Sequence, residues 1–137
     1  MAKKMSIVLT SGTVDKMMEA GILASGAVAN DMDVEIFVSF WGLLNFKKDA
    51  PAGGKVSYDG KEIEQQVMEV FKQKNVPSWK TTMMQAKEVG NVKIYACALM
   101  ADLMDIKRED LDPMVDEIVG VGDYVGKAAE ADITLSI

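Results

Sequence analysis

The sequence contains no histidine and only one cysteine, Cys97, and these two shortages exclude several kinds of active site. Without histidine, neither a Ser-His-Asp triad nor a Cys-His nucleophile pair can form within the chain. Zinc sites built from histidine and cysteine are excluded for the same reason. A single cysteine also cannot form an intrachain disulfide, which fits a reducing compartment. We expect neither a metal ion nor an organic cofactor.

The chain is also short of positive charge, since 15 lysine and arginine residues stand against 21 aspartate and glutamate residues, for a net charge of −6. We expect no nucleic-acid partner, because binding a polyanion requires a basic face. No apolar run approaches the ~18 residues of a membrane-spanning helix. The N-terminal segment MAKKMSIVLTSG resembles a signal peptide, but its apolar stretch is shorter than an ordinary signal core. The sequence therefore predicts a cytoplasmic protein that does not bind membranes.

The remaining composition is that of an ordinary globular domain. The 137 residues are 49% apolar and 26% charged, which is typical of a folded chain with a hydrophobic core. No internal repeat or low-complexity tract divides the sequence, so residues 1–137 are predicted to form one domain.

Apolar patterning predicts short strands that alternate with helices. The predicted strands cover residues 5–10, 34–40, a segment from Val92 to about Cys97, 117–121 and 132–137. Helices are predicted at 14–29, at 61–74, from a cap at Ser78 through Val89, after Cys97, and at 122–131. Residues 41–44 and 102–114 are predicted to form helical turns, and the Pro- and Gly-rich segment 49–60 is predicted to be a loop.

This alternation favours a mainly parallel sheet with helices on both faces. We therefore predict an α/β fold with three layers, α/β/α, and about five strands. Ligands bind to such sheets at the carboxyl ends of the strands, near a switch in strand order. The loops expected to meet at that edge are 11–13, 40–42, the segment after Cys97, and 120–123.

Cys97 is the main candidate for a reactive group, because it lies at a predicted junction between a strand and a helix. Backbone N–H groups at the start of a helix favour a thiolate or another anion. The apolar residues around it, among them Leu99 and Met100, would shelter a bound persulfide from water. The alternative is a small buried core residue, which free cysteines commonly are.

Two other loops supply candidate substrate- or anion-binding residues. The turn formed by Ser11, Gly12 and Thr13 would hold an anion through its backbone N–H groups, although an ordinary capped turn explains the same residues. Trp41, which precedes Gly42, would cover a pocket or lie at a subunit interface. Core packing is the alternative for this tryptophan.

Four segments give the sequence a resemblance to the DsrE/DsrF-like family, in particular to its small DsrE-related members. They are VLTSGTVDK from Val8, VEIFVSFWGL from Val34, VKIYACALMADLMDIKREDL from Val92, and the ending VGDYVGKAAEADITLSI. The resemblance implies a flavodoxin-like or DsrE-like fold, a homo-oligomer and sulfur-trafficking chemistry. The family's reactive cysteine corresponds to Cys97, which would carry a persulfide or thiosulfonate.

The leading hypothesis is a cytoplasmic sulfur carrier or sulfurtransferase, whose partners are sulfur donor and acceptor proteins or small sulfur compounds. One cysteine suffices for a carrier, whereas a dithiol oxidoreductase needs two. The alternatives are a non-catalytic, oligomeric interaction protein with a buried Cys97 and a small-molecule binder that uses the strand-end cleft. Peroxidase action is disfavoured, because the chain has no resolving cysteine.

Overall fold

Five parallel strands form the centre of the fold. They are β1 (Lys4–Leu9), β2 (Asp33–Val38), β3 (Val92–Cys97), β4 (Glu117–Val119) and β5 (Ile133–Ser136). Their order across the sheet is β4-β3-β2-β1-β5. This computed structural model describes residues 2–51 and 54–137. The predicted parallel α/β architecture is confirmed.

Six α-helices connect the strands within the described ranges. They are α1 (Val14–Ala29), α2 (Phe40–Leu44), α3 (Glu64–Gln73), α4 (Trp79–Val89), α5 (Ala98–Leu103) and α6 (Val121–Ala128). The bounds of α1 are those that the sequence predicts. Ser78 caps α4 as predicted, since its side chain accepts a hydrogen bond from the Thr81 N–H at 3.2 Å.

The strand order explains on which face of the sheet each helix lies. The chain passes from β1 through β4 in one direction, and right-handed crossovers place α1, α4 and α5 on a single face. The return from β4 to β5 runs in the opposite direction and places α6 on the other face. The result is the three-layer arrangement that the alternation of strands and helices predicts.

The main core lies between the sheet and the face formed by α1 and α4. Ile7, Ile36 and Ile94 are register partners on neighbouring strands, and all three are fully buried. Burial of one such side chain contributes roughly 1.5 to 3 kcal/mol. Gly21 lets α1 approach α4, because a Cβ atom there would lie 3.3 Å from the Thr82 Cγ2 atom.

Several boundaries differ from those that the sequence predicts. β2 ends at Val38 and not at residue 40, because Phe40 has a positive φ of 44° and begins α2. The predicted loop at 49–60 contains residues 52 and 53, which lie outside the described residues, and its end joins a 3₁₀-helix at Tyr58–Ile63. The turns predicted within 102–114 include a 3₁₀-helix at Arg108–Asp110.

Candidate functional site

Cys97 is the last residue of β3, and α5 begins at the next residue, Ala98. At this point the connections from two neighbouring strands separate. The chain leaves β3 toward the face that holds α1 and α4, whereas it leaves β4 toward the face that holds α6. Crevices for ligands form at such switch points in parallel sheets. The thiol therefore lies at the position in the fold where a ligand is expected.

The Cys97 side chain points to the α6 face and is nearly enclosed. Its register partner on β4 is Val119, and the residue is only 7% exposed. The helix that follows it, α5, has six residues, so its dipole is smaller than that of a long helix. Because a reagent must pass the surrounding side chains, access controls the reactivity of this thiol at least as strongly as the helix does.

Ser39 continues the row of side chains to which Cys97 belongs. The pairing of β2 with β3 extends to Val38 and Ala96, so the next residue on each strand is Ser39 and Cys97. Ser39 is extended, with φ −142° and ψ 174°, and its N–H donates to the Leu9 carbonyl oxygen at 3.1 Å. Because the strand alternation continues through Ser39, its side chain lies beside Cys97 on the α6 face.

The sequence did not identify Ser39 as a neighbour of Cys97. The signal that would have found it is its position, since Ser39 lies next to the end of the second predicted strand, 34–40, and Cys97 ends the third. Only the register between the two strands places these residues side by side, and this register follows from the folded sheet.

The two loops predicted to bind a ligand contact each other through their backbones. A Cβ atom on Gly12 would lie 2.5 Å from the Trp41 carbonyl oxygen, and one on Gly42 would lie 2.7 Å from the Leu9 carbonyl oxygen. The Gly42 N–H also donates to the Thr10 carbonyl oxygen at 2.9 Å. The structure thus brings these loops together, and both contacts require glycine.

The predicted anion-binding turn has already used some of its N–H groups. The Ser11 N–H donates to the Ile137 carbonyl oxygen at 3.2 Å, and the Val14 N–H donates to the Lys55 carbonyl oxygen at 2.8 Å. These two N–H groups are therefore not available to an anion, although the Thr13 side chain forms no cap hydrogen bond with α1. Anion binding by Ser11, Gly12 and Thr13 stays a prediction.

A carboxylate also lies in the first turn of α1, next to this predicted anion site. Asp15 Oδ1 accepts a hydrogen bond from the Ser57 N–H at 2.8 Å. Burial by itself would raise the pKa of Asp15, but hydrogen bonds from the side chain and backbone of Ser57 outweigh it and lower the pKa below its usual value. The carboxylate is therefore ionised at neutral pH, and it repels an anion at this turn.

The remaining predicted site residues differ in exposure. Trp41 and Leu99 are 61% and 64% exposed, whereas Met100 is buried in the core. The predicted apolar shelter around Cys97 is therefore open on the Leu99 side. Its other predicted member, Met100, packs inward on α5.

Exposed apolar side chains cluster at the carboxyl edge of the sheet. The edge patch consists of residues that follow three neighbouring strands: Phe40 and Trp41 after β2, Leu99 after β3, and Val121 after β4. Phe40 keeps its positive φ of 44° there, a strain of roughly 1 to 3 kcal/mol that tends to persist at functional sites. Exposed apolar side chains that share one edge of a sheet are candidates for an interaction site.

Neither a metal centre nor a membrane span is found in the part of the chain that the structure describes. No group of three or more cysteine, aspartate and glutamate side chains is arranged there to hold a metal ion. None of the described helices combines the length and the apolar character that crossing a bilayer requires.

Sequence comparison relates the chain to known proteins over nearly its whole length. The model of the DsrE/DsrF/DrsH-like family matches residues 1–71 and 54–136. Protein YrkE of Bacillus subtilis (strain 168) is 31% identical, over 98% of this chain and 97% of that protein. The sulfur carrier protein DsrE2 of Allochromatium vinosum is 28% identical, over 98% of each chain.

Two solved structures are similar in fold. Protein MTH1491 of Methanobacterium thermoautotrophicum superposes with a TM-score of 0.62 at 15% identity, over 98% of this chain and 99% of that chain. The ychN protein of E. coli superposes with a TM-score of 0.61 at 16% identity, over the whole of both chains. These similarities confirm the predicted fold class.

Proposed function

Because the chain belongs to the DsrE/DsrF/DrsH-like family, we propose that it is a sulfur carrier whose single thiol, Cys97, transiently holds sulfane sulfur. The observation that carries the proposal is the position of Cys97 at the carboxyl end of β3, at the switch point between β3 and β4. A relative that is similar over nearly all of this chain bears the name sulfur carrier protein. That name supports a role in sulfur transfer in general, and the persulfide chemistry is our proposal.

In the loading step, the Cys97 thiolate attacks the outer sulfur of a donor persulfide, R–S–SH. A new S–S bond forms to Cys97, the S–S bond within the donor breaks, and the donor leaves as the thiolate R–S⁻. The proton stays on the transferred sulfur or passes to solvent. The sulfane sulfur moves intact, so no external oxidant or reductant is consumed and no second cysteine is needed.

In the unloading step, an acceptor thiolate attacks the terminal sulfur of the Cys97 persulfide, and Cys97 leaves as a thiolate. We propose that donor and acceptor proteins dock on the edge patch, because its exposed Trp41 and Leu99 side chains lie where the chain leaves β2 and β3. The homo-oligomer and the cytoplasmic location expected from the sequence remain parts of this proposal.

We expect the native protein to gain the mass of one sulfur atom when it is incubated with a persulfide donor, and the mass of a thiosulfonate adduct with tetrathionate. Intact-mass spectrometry measures both products directly. The Cys97→Ser variant should show neither adduct, because the chain has no other thiol. Adducts that persist in this variant, or an unmodified wild type under all donors, would overturn the proposal.

A second candidate function is a non-catalytic interaction protein in which Cys97 is a structural core residue. The 7% exposure of the thiol favours it, because free cysteines are often buried hydrophobic residues. The rate of alkylation by a water-soluble iodoacetamide separates the two candidates. For a carrier, we expect the native thiol to react within about tenfold of the rate in urea, whereas a core thiol protected by a typical stability of roughly 5 kcal/mol reacts more than a thousandfold more slowly.

A further inference from the structure

We infer that Ser39 is a positioning residue for the sulfur on Cys97: its hydroxyl donates a hydrogen bond to the Cys97 thiolate and then to the persulfide that replaces it. The inference rests on the proposed function and names a group within the chain that would stabilise the anionic sulfur. It follows from the sheet register, from burial and from an unused hydroxyl group.

The register brings the two side chains within reach of each other. Neighbouring strands lie about 4.8 Å apart, and residues in one row of a sheet point to the same face. Since the β2–β3 pairing ends at Val38 and Ala96, Ser39 and Cys97 form the next pair in the row. The two side chains are not hydrogen-bonded in this structure, and the proposed bond forms when the Ser39 hydroxyl rotates toward the charged sulfur.

The Ser39 hydroxyl has no other assignment among the described residues. Ser39 is the N-cap residue of α2, yet its side chain accepts no hydrogen bond from that helix. None of the side-chain hydrogen bonds in the described ranges involves this hydroxyl. The residue is 7% exposed, so few water molecules compete for its hydroxyl group.

The Cys97 sulfur requires such a donor if it carries charge. It is as deeply buried as Ser39, and an anion removed from water is stable only when protein groups replace the lost hydrogen bonds. The dipole of the six-residue α5 is smaller than that of a long helix. A neighbouring hydroxyl meets this requirement without adding a charge that would attract other anions.

The test compares Ser39→Ala with Ser39→Thr and Thr10→Val. Thr10 follows Leu9 on β1 and lies beside Ser39 in the same row of side chains, because Leu9 pairs with Val38. Since β1 is one strand further from Cys97 than β2, Thr10→Val removes a matched hydroxyl that the thiol cannot reach. Two quantities are measured for each variant: the pH profile of thiol alkylation, and the lifetime of the persulfide adduct by intact-mass spectrometry.

We expect Ser39→Ala to move the alkylation profile to higher pH, so that alkylation at neutral pH is about tenfold slower. We also expect the persulfide adduct to decay about tenfold faster. Both factors correspond to the free energy of one hydrogen bond to an anion. Ser39→Thr should retain most of the wild-type behaviour, and Thr10→Val should match the wild type. A change that threonine does not rescue would indicate a structural defect and not the loss of the hydroxyl.

Identical alkylation profiles and adduct lifetimes in the wild type and Ser39→Ala would overturn the inference and leave the carrier function intact. A wild type that forms no sulfur adduct would instead refute the proposed function. In that case the alkylation profile alone decides whether Ser39 acts on the thiol, since alkylation requires no sulfur donor.

Discussion

Replacing Gly12 with alanine is expected to destabilise the protein by about 2 to 4 kcal/mol, because the new methyl group meets backbone atoms that cannot move aside. The Cβ atom would lie 2.5 Å from the carbonyl oxygen and 2.8 Å from the carbonyl carbon of Trp41. The β1–α1 and β2–α2 loops must then separate. We expect the unfolding midpoint in urea to fall and the tryptophan fluorescence of the folded protein to change, because the backbone of Trp41 is displaced.

Gly26→Ala is the matched control for this prediction. Gly26 lies within α1, and a Cβ atom there would meet nothing within 4 Å. Alanine in a helix is more stable than glycine by about 1 kcal/mol, so this variant should be slightly stabilised. The same chemical change thus has opposite signs at the two positions. A Gly12→Ala protein as stable as the wild type would show that the two loops do not depend on their close contact.

The fold could be predicted from the sequence because its main signals are local. The helical period of α1 and the β-branched segments of the strands repeat over a few neighbouring residues. The alternation of these elements then implies parallel pairing. The strand-to-helix junction at Cys97 was recognisable for the same reason, since both elements are adjacent in the chain.

The missed features of the candidate site depend on contacts between residues that are distant in the sequence. Ser39 becomes a neighbour of Cys97 only through the register of β2 and β3. The Ser11 N–H is used by the carbonyl of Ile137, at the opposite end of the chain. Neither contact leaves a periodic pattern, so neither could be derived from composition or spacing.

The rotational phase of α5 explains a further difference between the predicted and the observed surroundings of Cys97. The sequence placed Leu99 and Met100 together around Cys97, but the structure exposes Leu99 and buries Met100. Successive helical residues point about 100° apart, so two neighbours rarely line the same cavity. In a helix as short as α5, too few apolar positions repeat to fix this phase in advance.

The second large effect is expected at Tyr124, which fixes α6 to the sheet. Among the described residues of α6, Tyr124 is the only buried one. Its ring stacks on Phe37, with centroids 4.3 Å apart and planes at 10°, and its hydroxyl is hydrogen-bonded to that of the fully buried Ser6. Tyr124→Ala removes both contacts and should cost about 3 to 5 kcal/mol in the free energy of unfolding.

Two milder variants separate the ring from the hydroxyl. Tyr124→Phe keeps the stacking but leaves the Ser6 hydroxyl without its partner, which should cost about 1 to 3 kcal/mol. The double variant Ser6→Ala with Tyr124→Phe removes the stranded hydroxyl and should recover part of that loss. Urea unfolding of the single and double variants measures the coupling. If the costs of the two single substitutions simply add in the double variant, the two hydroxyls do not interact.

The same tyrosine predicts a dependence on alkaline pH. Burial raises the pKa of Tyr124 above its usual value, the charge of Glu35 raises it further, and the Ser6 hydrogen bond offsets part of the rise. The unfolded chain therefore loses this proton first, so the stability from the protonated hydroxyl is complete below about pH 10 and is lost as the pH rises through the folded-state pKa.

Tyr124→Phe cannot titrate, and the gap in unfolding free energy between it and the wild type should narrow above about pH 10. Because Tyr95 and the lysines titrate in both proteins, they cancel in this difference. A gap that stays constant from pH 8 to 11, values that bracket the usual tyrosine pKa of about 10, would contradict the assignment of the buried hydroxyl pair.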